Sequence, residues 1–391
     1  MHLRNLALAS FASAAAGQSL TEALQSEPSL SNLTTYLGLF PNFASQLGEM
    51  SNITLLAPSN TAFAAALNSS TGAAIQANNT GLIEAVFSYH VLSGNYSNFS
   101  TMPEFISTAL MSGMYANVTG GQNVEAIASG NMTNSTVTFY SGLLQNSSVA
   151  SNSSAIPFSG GVIHIIDSFL SPPANISETA IQLNLRSAVG ALQQAQLASA
   201  VNTMQDVTCF IPDNEAFQAV GATIATASPQ DLARILQYHV VNGTVGFTST
   251  LTNGTSLTTM NGIDVTITEV DGDIFVNSAR VLTPNVLVAN GVIHVIDNVL
   301  NPGNRTATPD PTASTQTAAF SGASSASDEP FTSGVATATT SVNTDGPASM
   351  ASAATGGGES ASSSGKGAMP LQTGAIGAAA LFGGAALVLN L

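Results

Sequence analysis

Hydrophobic residues occupy every second position on both sides of an Asp-Gly pair at residues 271–272. The alternating residues are Ile263, Val265, Ile267, Ile274 and Val276. A two-residue period places alternate side chains on one face of a β-strand, and Asp-Gly favours a tight hairpin turn. The pattern therefore predicts two antiparallel strands joined by this pair.

A second pattern has the three- and four-residue steps of an α-helix. It consists of Ile181, Leu185, Val189 and Leu192. Such steps line up on one side of a helix, so we predict an amphipathic helix here.

Short apolar runs that end in proline begin another type of element. Asn60 follows the first such run, and Asp213 and Asn214 follow the second. These residue types accept hydrogen bonds from the free amides at a helix N-terminus, so we expect them to cap new helices. Phe63 and Phe217 are then expected to point into the core.

Three sequence motifs occur twice along the chain in the same order. They are Thr54–Phe63 and Thr208–Phe217, then Tyr89-His90 and Tyr238-His239, then Gly161–Asp167 and Gly291–Asp297. The repetition indicates two homologous domains, at residues 18–172 and 173–303. Helix-like patterns come before strand-like patterns, which predicts an α+β fold for each. The first domain is longer, and its extra residues are expected within 111–154.

The composition changes after the second domain. Ser, Thr, Ala, Gly and Pro dominate residues 304–365, with few large apolar side chains. Such a segment buries too little apolar surface to offset its chain entropy. We therefore predict an extended, O-glycosylated stalk.

Both ends of the chain carry processing signals. Residues 1–16 combine Arg4 with an apolar stretch and a small-residue cleavage site, as in a secretory signal peptide. Residues 366–391 are mostly small and apolar, and small residues precede them, which is typical of a GPI-attachment propeptide. The expected anchor site is Ser363, Ser364 or Gly365, so the protein is predicted at the outer face of the plasma membrane or in the cell wall.

Asn-X-Ser/Thr sequons are dense, and most lie before residue 180. The asparagines are Asn32, Asn52, Asn68, Asn78, Asn95, Asn98, Asn117, Asn131, Asn134, Asn146, Asn152, Asn175, Asn242, Asn253 and Asn304. Each is a candidate N-glycosylation site in a secreted chain. The second domain is therefore expected to carry less glycan than the first.

Charge and cysteine content exclude several classes of protein. Six Lys and Arg stand against 22 Asp and Glu, so no basic surface is available for nucleic acid. Cys209 is the only cysteine, so no intramolecular disulfide forms and the domains must be held by apolar burial. Cys209 lies in an apolar run, which favours a buried thiol over an intermolecular link.

Catalytic and metal-binding patterns are absent from the sequence. It contains no H-E-x-x-H, G-x-S-x-G or Walker motif and no cysteine-based metal spacing. His164 and His294 share a strand face with apolar neighbours, so they and His90 and His239 are expected to be core residues rather than ligands. We expect no metal, no cofactor and no enzymatic activity.

The repeated motifs resemble those of the fasciclin (FAS1) domain family across roughly residues 20–302. The resemblance implies a β-wedge of about seven strands with packed helices, and structural roles for the motif residues. These are Asn60, Tyr89, His90, His164, Asp167, Asn214, Tyr238, His239, His294 and Asp297. In animal members an acidic residue implicated in integrin contact precedes the third motif, and this chain has Asn285 there.

The resemblance and the processing signals together predict a GPI-anchored surface glycoprotein, of the kind found in fungi and plants. Its expected work is adhesion or cell-wall organisation, with extracellular glycoproteins or polysaccharides as partners. Two alternatives stay open at this point: a module that binds a small ligand or lipid inside the wedge, and an enzyme acting on wall polysaccharide. The oligomeric state is left open.

Overall fold

The computed structural model describes residues 17–66, 79–113, 115–131, 134–149, 154–305 and 307–339, without the side chains of 131–135. The predicted signal peptide, the anchor signal and the stalk beyond Thr339 lie outside these residues. Within them the chain forms two α+β domains, as predicted, and each domain has helices before most of its strands.

The described part of the first domain has five α-helices and eight strands. The helices are α1 (Leu20–Gln25), α2 (Ser31–Leu39), α3 (Pro41–Glu49), α4 (Asn60–Ala66) and α5 (Thr80–Tyr89). The strands are β1 (Ile53–Pro58), β2 (Val91–Ser93), β3 (Glu104–Ser107), β4 (Asn123–Asn131), β5 (Asn134–Tyr140), β6 (Asn146–Ser148), β7 (Ile156–Phe158) and β8 (Gly161–Ile166). They form two sheets, of order β2-β1-β8-β7 and β3-β4-β5-β6.

The second domain has one seven-stranded sheet. Its helices are α6 (Ile176–Gln182), α7 (Arg186–Gln194), α8 (Ala198–Thr203), α9 (Asn214–Ala219), α10 (Gly221–Ile224) and α11 (Pro229–Gln237). Its strands are β9 (Val207–Pro212), β10 (Val240–Asn242), β11 (Ser256–Thr258), β12 (Asp264–Val270), β13 (Asp273–Val276), β14 (Ala279–Val288) and β15 (Gly291–Ile296). The strand order is β10-β9-β15-β14-β13-β12-β11.

The first and third motifs of each domain lie side by side as a parallel strand pair. Ile53 is paired with Gly161 at the start of β1 and β8, and Val207 with Gly291 at the start of β9 and β15. Every residue of these four strands is buried, because helices or other strands cover both faces. The pair forms the centre of each core, and the other pairings are antiparallel.

The predicted hairpin is confirmed. Strands β12 and β13 pair antiparallel and are joined by Asp271 and Gly272, which both have positive φ, as a tight primed turn requires. Val265, Ile267 and Val276 are fully buried on the core side.

The prediction of one continuous helix through residues 181–192 is wrong. The segment forms two helices, α6 and α7, separated by Asn184 in the left-handed conformation at φ 59°. The Asn184 carbonyl accepts a hydrogen bond from the Asn214 side chain, so a tertiary contact holds the break. A period of 3.6 residues does not reveal a break that keeps the apolar side chains on the same side.

Residues 307–339, assigned to the stalk from sequence, contain no α-helix or strand but pack against the second domain. Val335 is buried, and Phe331 makes an edge contact with Phe217 of the core, with ring centroids 6.2 Å apart. Arg186 donates to the carbonyls of Thr332 and Val335. The structure thus differs from the expected extended stalk over this stretch. A few widely spaced apolar residues pack against the domain, and overall composition does not reveal them.

Candidate functional site

The Tyr-His step of the first domain is a buried structural joint. Helix α5 ends at Tyr89, whose hydroxyl donates to the Asn123 carbonyl across 2.8 Å. The Nδ1 atom of His90 lies 2.7 Å from the Val86 carbonyl, and its Nε2 accepts from the Leu170 amide at 2.9 Å. These contacts require the neutral Nδ1–H tautomer. Burial lowers the pKa of His90 to about 4, so the ring stays neutral.

The second domain repeats this joint. Nδ1 of His239 contacts the Ile235 carbonyl at 2.8 Å, and its Nε2 accepts from the Leu300 amide at 2.9 Å. Burial lowers its pKa to about 4. The Tyr238 hydroxyl donates to the Asp264 carbonyl and accepts from Asn277. Both nitrogens of each histidine are therefore occupied by backbone groups, which leaves neither of them for catalysis.

The strand histidines are also used by the fold. Nε2 of His164 is 2.7 Å from the Tyr96 carbonyl, and Nε2 of His294 is 2.8 Å from the Gly246 carbonyl. Burial lowers the pKa of both, to about 4 for His294. The expectation of hydrogen-bonded core histidines agrees with this geometry.

Asp213 caps α9 as expected, since its side chain accepts from the Ala216 amide at 2.7 Å. Asn60 and Asn214 do not cap the helices that they begin, and that expectation is wrong. Each accepts instead from an amide in the first turn of an earlier helix: Asn60 from Asn32 in α2, and Asn214 from Ser187 in α7. An asparagine at the first helical position points its amide away from its own helix and ties two helices together.

The motif aspartates do not pair with the histidines that precede them. Asp167 accepts from Ser147 and from the Ser148 amide, and Asp297 accepts from the Arg280 amide at 2.7 Å. Burial raises the pKa of Asp297 above its ordinary value. Each carboxylate thus fastens the end of the last strand to a neighbouring strand.

Asn285 occupies the place of the acidic residue in animal relatives, but it is not a surface residue. Its side chain is 3% exposed, and it exchanges hydrogen bonds with the backbone amide and hydroxyl of Thr248. Asn285 has positive φ at an irregular point of β14. The position therefore maintains the strand and presents no contact group.

The sequon asparagines fall into three groups. Seven are exposed, namely Asn32, Asn52, Asn95, Asn98, Asn146, Asn242 and Asn253. Three are half-buried, namely Asn117, Asn175 and Asn304. Asn68, Asn78 and Asn152 lie outside the described residues, as do the side chains of Asn131 and Asn134 and the anchor candidates Ser363, Ser364 and Gly365. Glycosylation remains a prediction at all of these positions.

The sequon at Asn117 lies in the interface between the domains. Its Nδ2 is 3.1 Å from the carbonyl oxygens of both Thr203 and Met204, and its backbone amide donates to Ala289. The sequon hydroxyl and amide of Thr119 both donate to the carboxylate of Asp206. The polar groups of this sequon are therefore occupied by the second domain.

Aromatic stacking and a buried amide complete the interface. The rings of Phe105 and Phe247 stack with centroids 3.8 Å apart and planes within 4°. The Gln122 side chain donates to the Val288 and Ala289 carbonyls, and Leu144 packs into the core of the second domain. Sequence reasoning missed this interface, because its contacts join residues more than 80 positions apart. Most of the first-domain contacts fall within 111–154, where the extra residues were expected.

Glu125 was also missed. It lies on β4 between Phe105 and Tyr140 of the neighbouring strands, is 1% exposed, and neither carboxyl oxygen has a hydrogen-bond partner among the described residues. Burial raises its pKa to about 8. A carboxylate inside an otherwise apolar strand pattern is the only sequence signal that marks it.

Other candidate chemistry is limited in the part of the chain that the structure describes. It contains no group of three or more His, Cys, Asp or Glu residues placed to hold a metal ion. None of its helices is long and apolar enough to cross a membrane. Cys209 is a free, buried thiol, and burial raises its pKa to about 12, which agrees with an inert core residue.

Comparison with known proteins identifies related chains. The chain is 36% identical over 338 residues to a fasciclin-like arabinogalactan protein of Arthroderma benhamiae, covering 86% of this chain and 79% of that protein. It is 29% identical over 285 residues to the fasciclin-like arabinogalactan protein elcF of Phaeosphaeria nodorum, covering 72% and 88%. These fungal relatives support a cell-surface or matrix role.

Among solved structures, a FAS1 domain pair from the insect cell adhesion molecule fasciclin I aligns with 67% of this chain and 92% of its own. The TM-score is 0.31 and the sequence identity 17%. Residues 28–172 and 183–302 each match the Fasciclin domain, together more than half of the chain. The chain therefore belongs to the fasciclin domain family, in agreement with the resemblance found in its motifs.

Proposed function

We propose that this protein is a GPI-anchored surface glycoprotein that binds cell-wall or matrix material through its paired fasciclin domains. The proposal depends on the repeated tyrosines and histidines of the motifs, which are buried and hydrogen-bonded to backbone groups. Their role is to hold two domains in shape, which suits a displayed binding scaffold better than an enzyme. The fasciclin-like arabinogalactan relatives support the same role.

The interface supports binding by the domains as a pair. Stacked phenylalanines, the Gln122 amide and the Asn117 sequon connect the domains, so both face the surroundings in a defined orientation. The second domain carries fewer sequons, which leaves more of its protein surface uncovered. We therefore assign it the larger share of the contact with partners.

The lipid-binding alternative receives little support from the second-domain core. Its apolar cavity, lined by Cys209, Phe217 and Leu236 among others, has a volume of about 30 Å³. This is room for about two water molecules, far less than an acyl chain needs.

The experiment is release of the protein from intact cells by a phosphatidylinositol-specific phospholipase, followed by binding of the released chain to isolated wall polysaccharide. Glycosylated and enzymatically deglycosylated forms are compared. We expect release and saturable binding by both forms. Absence of release would contradict the anchor, and absence of binding in both forms would contradict the adhesive role.

A further inference from the structure

The first domain has a surface pocket next to its Tyr-His step. It lies between α3, α5 and β2 and has a volume of about 220 Å³. Its lining residues are Asn42, Phe43, Gln46, Leu47, Met50, Glu84, Ser88, Val91 and Ala109. None of the repeated motif residues lines the pocket, although Ser88 and Val91 flank the Tyr89-His90 step.

The pocket combines free polar groups with an apolar floor. The side chains of Asn42, Gln46 and Glu84 are exposed, and none of them makes a hydrogen bond with another described residue. Leu47 and Val91 are buried at the base, and Phe43 is half-buried beside them. Two amides and a carboxylate can thus form hydrogen bonds with a ligand without first breaking hydrogen bonds within the protein.

Comparison of the two domains explains why the space exists. The Ala109 amide donates to the Val91 carbonyl, and the Met260 amide makes the same bond to Val240, so the two residues are equivalent. The Met260 side chain packs against the core of the second domain. Ala109 has only a methyl group at the equivalent position, so the corresponding volume in the first domain stays open.

The carboxylate is also specific to the first domain. Glu84 lies five residues before Tyr89, and the residue five before Tyr238 is Ala233. At this position the second domain therefore has the larger Met260 in place of Ala109 and the uncharged Ala233 in place of Glu84.

We propose that this pocket binds a single neutral sugar residue of a cell-wall glycan. Sugar hydroxyls both donate and accept, which matches two amides, a carboxylate and the Ser88 hydroxyl. The apolar floor suits the C–H face of a pyranose ring, and the volume is below the usual 300–1,000 Å³ of sites for larger ligands. The net charge of −16 disfavours anionic sugars.

This inference rests on the proposed binding of wall glycans and assigns part of it to the first domain. Because one ring forms few contacts, we expect a Kd on the order of 1 mM for a simple glycoside. Tight binding to a wall would then require many sugar ends and many displayed copies.

The test is saturation-transfer NMR on the full secreted chain after removal of its N-glycans. The probes are the methyl glycosides of mannose, galactose, glucose and N-acetylglucosamine. We expect at least one to bind saturably, and Ala109→Met, which introduces the second-domain residue, to weaken that binding at least tenfold. Gln46→Ala, an exposed helix position that does not threaten folding, should weaken it several-fold. Met111→Ala, at an exposed side chain outside the lining, should leave the Kd within twofold.

The outcomes separate this inference from the proposed function. If the wild-type chain binds wall polysaccharide but none of the glycosides, the pocket assignment is wrong and the adhesive role stands. Binding that is unchanged in both Ala109→Met and Gln46→Ala would also overturn the pocket. Glycoside binding without any wall binding would support the pocket and contradict the proposed function.

Discussion

Glu125 is an acidic residue in a buried environment, and neither of its carboxyl oxygens has a hydrogen-bond partner among the described residues. Burying a charged carboxylate without a partner costs free energy. Burial therefore raises the pKa of Glu125 to about 8, and the carboxyl group is neutral below that pH. The same carboxyl raises the pKa of Tyr140 on the adjacent strand, after the larger effect of that tyrosine's own burial. Glu125 therefore makes the first domain sensitive to pH.

Replacing Glu125 with glutamine should remove this sensitivity. In the unfolded chain the carboxyl ionises near its ordinary pKa, so the folded state binds an extra proton between about pH 4.5 and 8. Wild-type stability should fall across this window by up to about 1.4 kcal/mol per pH unit relative to Glu125→Gln. Urea unfolding of both proteins at pH 5 and pH 8 measures the difference. Since both contain the same histidines, a constant difference in stability would contradict the assignment.

At the scale of elements, the parallel strand pair depends on a close approach of two backbones. A Cβ added at Gly161 would lie 1.8 Å from the Ile53 carbonyl oxygen, and one at Gly291 would lie 1.9 Å from that of Val207. Glycine is therefore required in both copies of the third motif, because any side chain would push the central strands apart.

Gly161→Ala should accordingly destabilise the first domain by about 3 kcal/mol or more, through overlap that the buried strands cannot relieve. Gly38→Ala is the control, because a Cβ at Gly38 meets no atom within 4 Å and helix α2 gains helical propensity. The melting temperatures of the two variants are measured by thermal unfolding and compared. Equal melting temperatures would show that the strand pair adapts.

The C-terminal segment is a second feature at this scale. Phe331 and Val335 place it against α7, and a Cβ at Gly190 of that helix would lie 1.7 Å from the Phe331 carbonyl oxygen. The segment thus covers part of the second-domain core, although it has no regular secondary structure.

Phe331→Ala should release this cover and lower the free energy of unfolding of the second domain by about 1–2 kcal/mol, less than for a fully buried phenylalanine. Limited proteolysis should then cut within residues 320–339 faster than in wild type. Thr337→Ala, at an exposed position of the same segment, should behave as wild type in both measurements. Unchanged proteolysis of Phe331→Ala would argue against the packing.

At the scale of the molecule, the two domains meet through a surface that also contains a sequon. The Asn117 side chain donates to two carbonyls of the second domain, and Thr119 binds Asp206. A glycan on Asn117 would replace one amide hydrogen and place a bulky group where the domains touch. A glycan on Asn117 would therefore disrupt the contact between the domains.

We expect Asn117 to be unmodified in the secreted protein, while the exposed Asn146 and Asn242 carry glycans. Enzymatic removal of the N-glycans in 18O-labelled water converts each occupied asparagine to a labelled aspartate. Mass spectrometry of the resulting peptides then measures occupancy at each position. Occupancy at Asn117 similar to that at Asn146 would contradict the observed interface.

The local patterns alone determined much of this protein. The repeated motifs predicted two domains, alternation predicted the β12–β13 hairpin, and apolar neighbours predicted buried histidines and a buried Cys209. These features follow from short-range periodicity and from the cost of exposing apolar side chains, so they can be read along the chain. The family resemblance rests on the same motifs.

Only the tertiary structure decided which segments lie together. It paired the first motif with the third, turned Asn60 and Asn214 toward earlier helices, broke the helix at Asn184 and packed residues 307–339 onto the second domain. It also buried Glu125 without a partner, placed Asn117 between the domains and left a pocket beside Ala109. Each of these depends on contacts between residues far apart in the chain, and a linear pattern records the polarity of a residue but not the neighbour that it will meet.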